Sequence, residues 1–160
     1  MRLAIFSDTH GNYPLALRAL EDAGQLAGVI HLGDEIEDAG IIEDIVGCPV
    51  VKVAGNCDRG TAIPRELNCL FAGVRFYLTH GDAFGVKGGL ARLRAKAAAE
   101  DAQVVLYGHT HLAAVDRFDG ILFVNPGTLH QGSDLKSFAT IDIDAGTISA
   151  RIVRLSPVGT

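Results

Sequence analysis

The chain has 160 residues, 48% of them hydrophobic, and a formal net charge of −5 at pH 7. That is enough apolar material for one substantial core and nothing hints at a second, so residues 1–160 read as a single domain. A protein that grips extended nucleic acid through phosphates needs a basic face, which this acidic balance argues against.

In chain order, Arg2 to Phe6 is a short apolar run of the kind expected of a strand buried on both faces. Pro14 suits the first turn of a helix carrying Leu17 and Leu20, with Gly24 placed to end it. Gly28 to Leu32 and Val50 to Val53 read as two more buried strands, separated by a short helix over Gly40 to Val46 that Gly47 and Pro49 close. Leu67 to Phe71 and Val74 to Leu78 flank Ala72-Gly73 as a hairpin. Residues 89–101 form a helix with Leu90, Leu93 and Ala97 on one face and a solvated face bearing Arg92 and Lys96. Val104 to Tyr107 is a further buried strand. Hairpins follow at Val115 to Phe118 with Ile121 to Val124, and at Phe138 to Ile143 with Thr147 to Val153. The expected fold is an α/β sandwich of two mixed sheets between helices.

Nothing in the sequence approaches the roughly 20 apolar residues of a bilayer crossing. Met1 to Phe6 runs straight into Ser7-Asp8, leaving no room for a signal peptide, so a cytoplasmic location and no membrane partner are expected. Cys48, Cys57 and Cys69 are an odd count without metal-type pairing, which suggests reduced thiols.

Potential metal ligands stand just after the apolar runs. Asp8 and His10 lie in Ser-Asp-Thr-His-Gly, Asp34 in Leu-Gly-Asp-Glu, Asn56 in Gly-Asn-Cys-Asp, His80 in Thr-His-Gly-Asp, and His109 and His111 in Gly-His-Thr-His. In open α/β sheets ligands collect beyond the carboxyl ends of strands, so groups far apart in sequence would converge there. Carboxylate, imidazole and amide oxygen together suit borderline or hard divalent ions such as Mn, Fe, Zn, Co or Ni. Gly33, Gly55, Gly81 and Gly108 read as the residues that allow tight turns beside the ions.

This order of motifs resembles the calcineurin-like metallophosphoesterase superfamily over nearly the whole chain, and within it the small single-domain phosphodiesterases of bacteria and archaea. The resemblance implies two divalent ions per chain, Mn foremost with Fe, Zn, Ni, Co or Mg as alternatives. Asp8, His10, Asp34 and His111 would hold one, and Asp34, Asn56, His80 and His109 the other, with Asp34 as the bridge. It also implies in-line attack by a metal-activated hydroxide on a small phosphodiester, with Asp8, His10, Asp34, Asn56, Asp58 and His80 as the catalytic set. A homodimer or higher oligomer fits the same resemblance.

Several residues keep two readings. Asp58 could orient a ligand from behind or simply serve the turn; Arg59 could clamp a phosphate or face solvent. His130, after Asn125-Pro126-Gly127-Thr128, could contact substrate or lie on the surface, whereas His31 within its strand reads as a hydrogen-bonded structural residue. Arg59 and His130 join Asn56 as the substrate-binding candidates. Many superfamily members carry Gly-Asn-His where this chain has Gly-Asn-Cys, with Cys57 as a thiol filling the imidazole's space. The missing donor counts against a phosphomonoesterase. That activity, a nucleotide pyrophosphatase and a non-catalytic scaffold like the retromer subunit of this fold are the alternatives, and the complete ligand set argues against the scaffold.

Overall fold

A computed structural model describes residues 1–156 of the chain. Its elements are β1 (Arg2–Phe6), α1 (Tyr13–Asp22), β2 (Gly28–His31), α2 (Ile36–Val46), β3 (Val50–Lys52), β4 (Glu66–Phe71), β5 (Val74–Thr79), α3 (Ala91–Ala99), β6 (Val104–Leu106), β7 (Ala114–Phe118), β8 (Ile121–Asn125), β9 (Lys136–Asp144) and β10 (Thr147–Leu155). Two five-stranded sheets form, ordered β10-β9-β1-β2-β3 and β4-β5-β6-β8-β7. In the first, β1, β2 and β3 are parallel and β9 and β10 antiparallel. In the second, β5, β6 and β8 are parallel, and β4 and β7 are antiparallel edges.

Alternation along the strands builds the layers. Leu3 and Ile5 of β1 point into a core shared with Phe76, Leu78, Leu106 and Val124 of the other sheet. Ala4 and Phe6 point the opposite way, against Ala16, Ala19 and Leu20 of α1 and Ile42 of α2. Leu93 and Ala97 of α3 cover the far face of the second sheet with Tyr77, Val105 and Phe123. The result is helices, sheet, sheet, helix. Each hairpin turns through two residues of positive φ, Ala72-Gly73, Asp119-Gly120 and Ala145-Gly146, the conformation a two-residue hairpin favours because its twist matches the strands. Among the described residues no helix is long and apolar enough to cross a membrane.

Two helices depart from the sequence reading. α2 starts at Ile36 rather than Gly40, because the carboxylate of Asp58, distant in sequence, accepts from the N–H groups of Glu35 and Ile36. α3 starts at Ala91, since two short 3₁₀ turns and Gly89 at φ 137° precede it. Its Lys96 is not simply solvated, as it lies 2.7 Å from Glu100 and 3.7 Å from Glu66.

Candidate metal centre

The six parallel strands aim their carboxyl ends at one place. Asp8 follows β1, Asp34 follows β2, and the turn Gly55 to Asp58 follows β3; His80 follows β5, and His109 and His111 follow β6. The two sheets are stitched together across this end. The N–H of His109 donates to Asp8 Oδ2 at 3.1 Å, and His80 Nδ1 to the carbonyl of Leu32 at 2.8 Å. The loop after β8 joins them through Thr128, whose hydroxyl donates to the Asp8 carbonyl at 2.8 Å.

Asp8, His10, Asp34, His109 and His111 all have positive φ, between 45° and 70°. Such a backbone costs roughly 1–3 kcal/mol per non-glycine residue and persists where surrounding structure imposes it. In Asp-Thr-His and His-Thr-His alike the left-handed residues alternate. Two of the four glycines next to the candidate ligands work differently from the expected tight turns. Gly33 and Gly81 have φ of 97° and 105°, but Gly55 and Gly108 are not left-handed. A Cβ on Gly55 would strike the Asp34 carboxylate, and one on Gly108 would strike Ser7 Oγ and Asp8 Oδ2, so these two permit close approach.

The donor atoms form two groups, Asp8 with His10 and His111, and Asp34 with His80 and His109, each spanning no more than 4.8 Å. Asp8 Oδ1 lies 3.0 Å from His111 Nε2, 3.7 Å from His10 Nε2 and 3.8 Å from His80 Nε2. Asp34 Oδ2 faces His80 Nε2 at 3.4 Å and His10 Nε2 at 3.9 Å. Only an N–H can meet the Leu32 carbonyl, so neutral His80 presents its Nε2 lone pair to Asp34 Oδ2 and, at 3.2 Å, to His109 Nδ1. Acceptors converging in this way suit a shared cation, and the donor set fits divalent metal.

Where no cation is bound, protons on His10 and His80 take its place between the carboxylates. Burial pushes the Asp8 carboxyl up, but the neighbouring His10, the charge of His80, the Ser7 hydroxyl and the His109 N–H outweigh it and hold the group below the usual carboxylate range. Asp34 is likewise held down against burial, chiefly by His80 and by the Cys57 N–H. The nearby Asp8 carboxylate raises His10, and Asp34 and Asp8 raise His80 despite burial. Burial lowers His109, helped by the charge of His80.

The remaining sequence candidates divide. Asn56 is exposed in a turn fastened to the site by the N–H of Cys57, which donates to Asp34 Oδ1 at 2.9 Å. Asp58 accepts from the N–H groups of Asp34, Glu35, Ile36 and Gly55, so it positions Asp34 from behind. Cys57 is exposed rather than packed into an imidazole's space, and burial and Asp34 push its thiol up. Arg59 is exposed on the same turn as Asp58 and belongs to neither donor group. The His130 ring stands 5.1 Å from that of His10 and 6.2 Å from that of His111, beside the site rather than in it. His31 is structural: it is buried, with Nε2 2.9 Å from Thr9 Oγ1 and Nδ1 accepting from Gly33. Sequence reading missed Asp38, buried on α2, whose carboxylate accepts from Gly11 N–H at 2.9 Å and pins the loop after His10. No local pattern marks it, because its partner lies 27 residues away.

The sequence model of the calcineurin-like phosphoesterase superfamily domain matches residues 1–146. The chain belongs to this superfamily. As a calcineurin-like phosphoesterase it is a metal-dependent phosphoric ester hydrolase, similar to other small proteins of the kind. It is 29% identical to the probable metallophosphoesterase YsnB of Bacillus subtilis, over 92% of this chain and 89% of that one. It is 28% identical to phosphodiesterase YfcE of Escherichia coli K12, over 94% and 92%. A crystal structure of a conserved, predicted phosphoesterase from Streptococcus pneumoniae superposes with a TM-score of 0.81 at 25% identity, covering 96% of this chain and 88% of that one.

Proposed function

We propose that residues 1–160 act as one domain that binds two divalent ions per chain and hydrolyses small phosphodiesters by in-line attack of water. The observation that carries this reading is the pair of donor groups facing one another through Asp34, whose Oδ2 looks toward a histidine of each group, His10 and His80. Asp34 would serve both ions, and the Asn56 carboxamide would complete the second group from its turn. Bound ions would supply Lewis acidity toward phosphoryl oxygens and lower the pKa of a water. Mn suits the mixed oxygen and imidazole set, with Fe, Zn, Ni, Co or Mg as alternatives.

The chain's own residues supply orientation. Ser7 and the His109 N–H fix Asp8, Leu32 fixes the His80 tautomer, and Asp58 holds the backbone of Asp34. Arg59 and His130 would serve as contacts for phosphoryl oxygens or ester groups. The Cys57 thiol, pushed up and thus protonated near neutral pH, is a poor nucleophile, which favours direct attack by water over a covalent intermediate. With Cys57 at the position of the superfamily imidazole, a diester with a good leaving group suits the site better than a monoester. Free thiols at Cys48, Cys57 and Cys69 fit the reducing cytoplasm that we assign as its location.

The test is elemental analysis of protein loaded with Mn, coupled to rates on matched phosphodiesters and monoesters. Two ions per chain and chelator-sensitive diester hydrolysis are expected, with Asp34→Asn weakening both ions rather than one. A single ion at saturation, or hydrolysis indifferent to chelator, would overturn the reading.

A further inference from the structure

A groove of about 340 Å³ opens beside the Asp8, His10 and His111 group, with His111 itself in its wall. Leu112 and Leu135 line it and are 70% and 62% exposed, among the most exposed large apolar residues described. Both stand on braced loops. The N–H of Leu112 donates to Thr110 Oγ1, which also accepts from Asn125 Nδ2. Ser133 donates through its hydroxyl to the Leu135 carbonyl and through its N–H to His130, and Lys136 Nζ donates to the Ser133 carbonyl. These leucines are therefore held out to solvent by the fold. Ser133, Asp134 and Arg154 add polar groups to the same groove, and Arg154 has no ion-pair partner among the described residues.

A phosphodiester differs from a monoester in keeping a second ester group that does not depart and must lie somewhere beside the phosphorus. Resting on the diesterase reading above, we propose that the groove between residues 111–113 and 133–135 is the subsite for this retained group, and that the group is a nucleoside. Apolar walls with a polar rim suit a flat ring that carries hydrogen-bonding groups on its edge. The leucines cover its faces, while Ser133, Asp134 and the Arg154 guanidinium meet the carbonyls and hydroxyls. Continuity with His111 ties the groove to the reaction rather than to an unrelated ligand.

Thymidine 5′-(p-nitrophenyl) phosphate and methyl p-nitrophenyl phosphate release the same phenolate, so their comparison isolates the retained group. The Mn-loaded enzyme should favour the thymidine ester at least tenfold in kcat/KM, mainly through KM, and Leu135→Ser should cut that preference several-fold. Calorimetry with thymidine 5′-monophosphate against methyl phosphate should show the same preference without turnover. Equal kcat/KM for the two diesters overturns the subsite, as does a preference that survives Leu135→Ser. If neither diester is hydrolysed, the diesterase reading fails, and equal calorimetric affinities would then overturn the subsite separately. A dimer that Leu135→Ser dissociates with the preference unchanged would make the leucines an interface between copies and overturn it as well.

Discussion

The Asp58 carboxylate accepts from the N–H groups of Asp34, Glu35, Ile36 and Gly55 at 2.7 to 2.9 Å. One side chain thus satisfies the opening amides of α2 and fixes the turn that carries Asp34, a candidate metal ligand. An ordinary helix cap satisfies one or two such donors and is worth about 0.5–2 kcal/mol. Here removal strands four, and each one left without a partner away from water costs about 1–3 kcal/mol. Asp58→Ala should therefore destabilise the fold by about 3 kcal/mol or more in urea titrations. Mn affinity at the Asp34 group should also fall about 10- to 100-fold, the usual scale for losing a residue that orients a ligand. Asp58→Asn keeps one acceptor oxygen and should fall between. Unchanged affinity in folded Asp58→Ala would show that Asp34 is positioned without it.

At the scale of elements, the site depends on how closely the loop after β6 can approach the loop after β1. Gly108 lies against Ser7 and Asp8, and the added Cβ of Gly108→Ala would meet Ser7 Oγ and the Asp8 carboxylate. The expected outcome is a folded protein that loses metal from the Asp8 group first, read as a fall from two ions toward one by elemental analysis. Two tightly bound ions in that variant would mean that the loops can part without cost. Strands and hairpins were legible in the sequence because alternation and Gly-containing turns are local signals, and Leu3 and Phe6 already point to their two cores. The candidate ligands could be picked out because each lies within a few residues of a strand's end. What local sequence did not carry was long-range: the start of α2 set by Asp58, the brace from Asp38 to Gly11, and the left-handed backbone of Asp8, His10, His109 and His111. Nor could it separate glycines needed for φ from those, such as Gly55 and Gly108, needed for proximity.

For the molecule as a whole, pH couples stability to the packing beneath the site. His31 is fully buried at the end of β2, and its Nδ1 accepts from Gly33, so it must stay neutral for that bond to form. Burial pushes its pKa down from 6.5 to about 4. Between those values the unfolded chain takes a proton that the folded chain refuses, so stability is lost as pH falls from 6.5 to about 4. The 2.5 units separating the two values correspond to on the order of 3 kcal/mol at about 1.4 kcal/mol per unit. His10 and His80 act with the opposite sign in metal-free protein. Their raised values add stability that is present in acid and lost as pH rises through them. The net curve therefore hides the buried histidine, but a difference between two proteins exposes it. Urea titrations of metal-free wild type and His31→Gln, run side by side from pH 7 to pH 4, share most of the His10 and His80 contribution, so the gap between them reports chiefly on His31. The stability gap between them should shift by about 3 kcal/mol in favour of the variant as pH falls across this range. A gap that stays constant would mean that His31 takes its proton in the folded state, and that the bond from Gly33 is not what keeps it neutral.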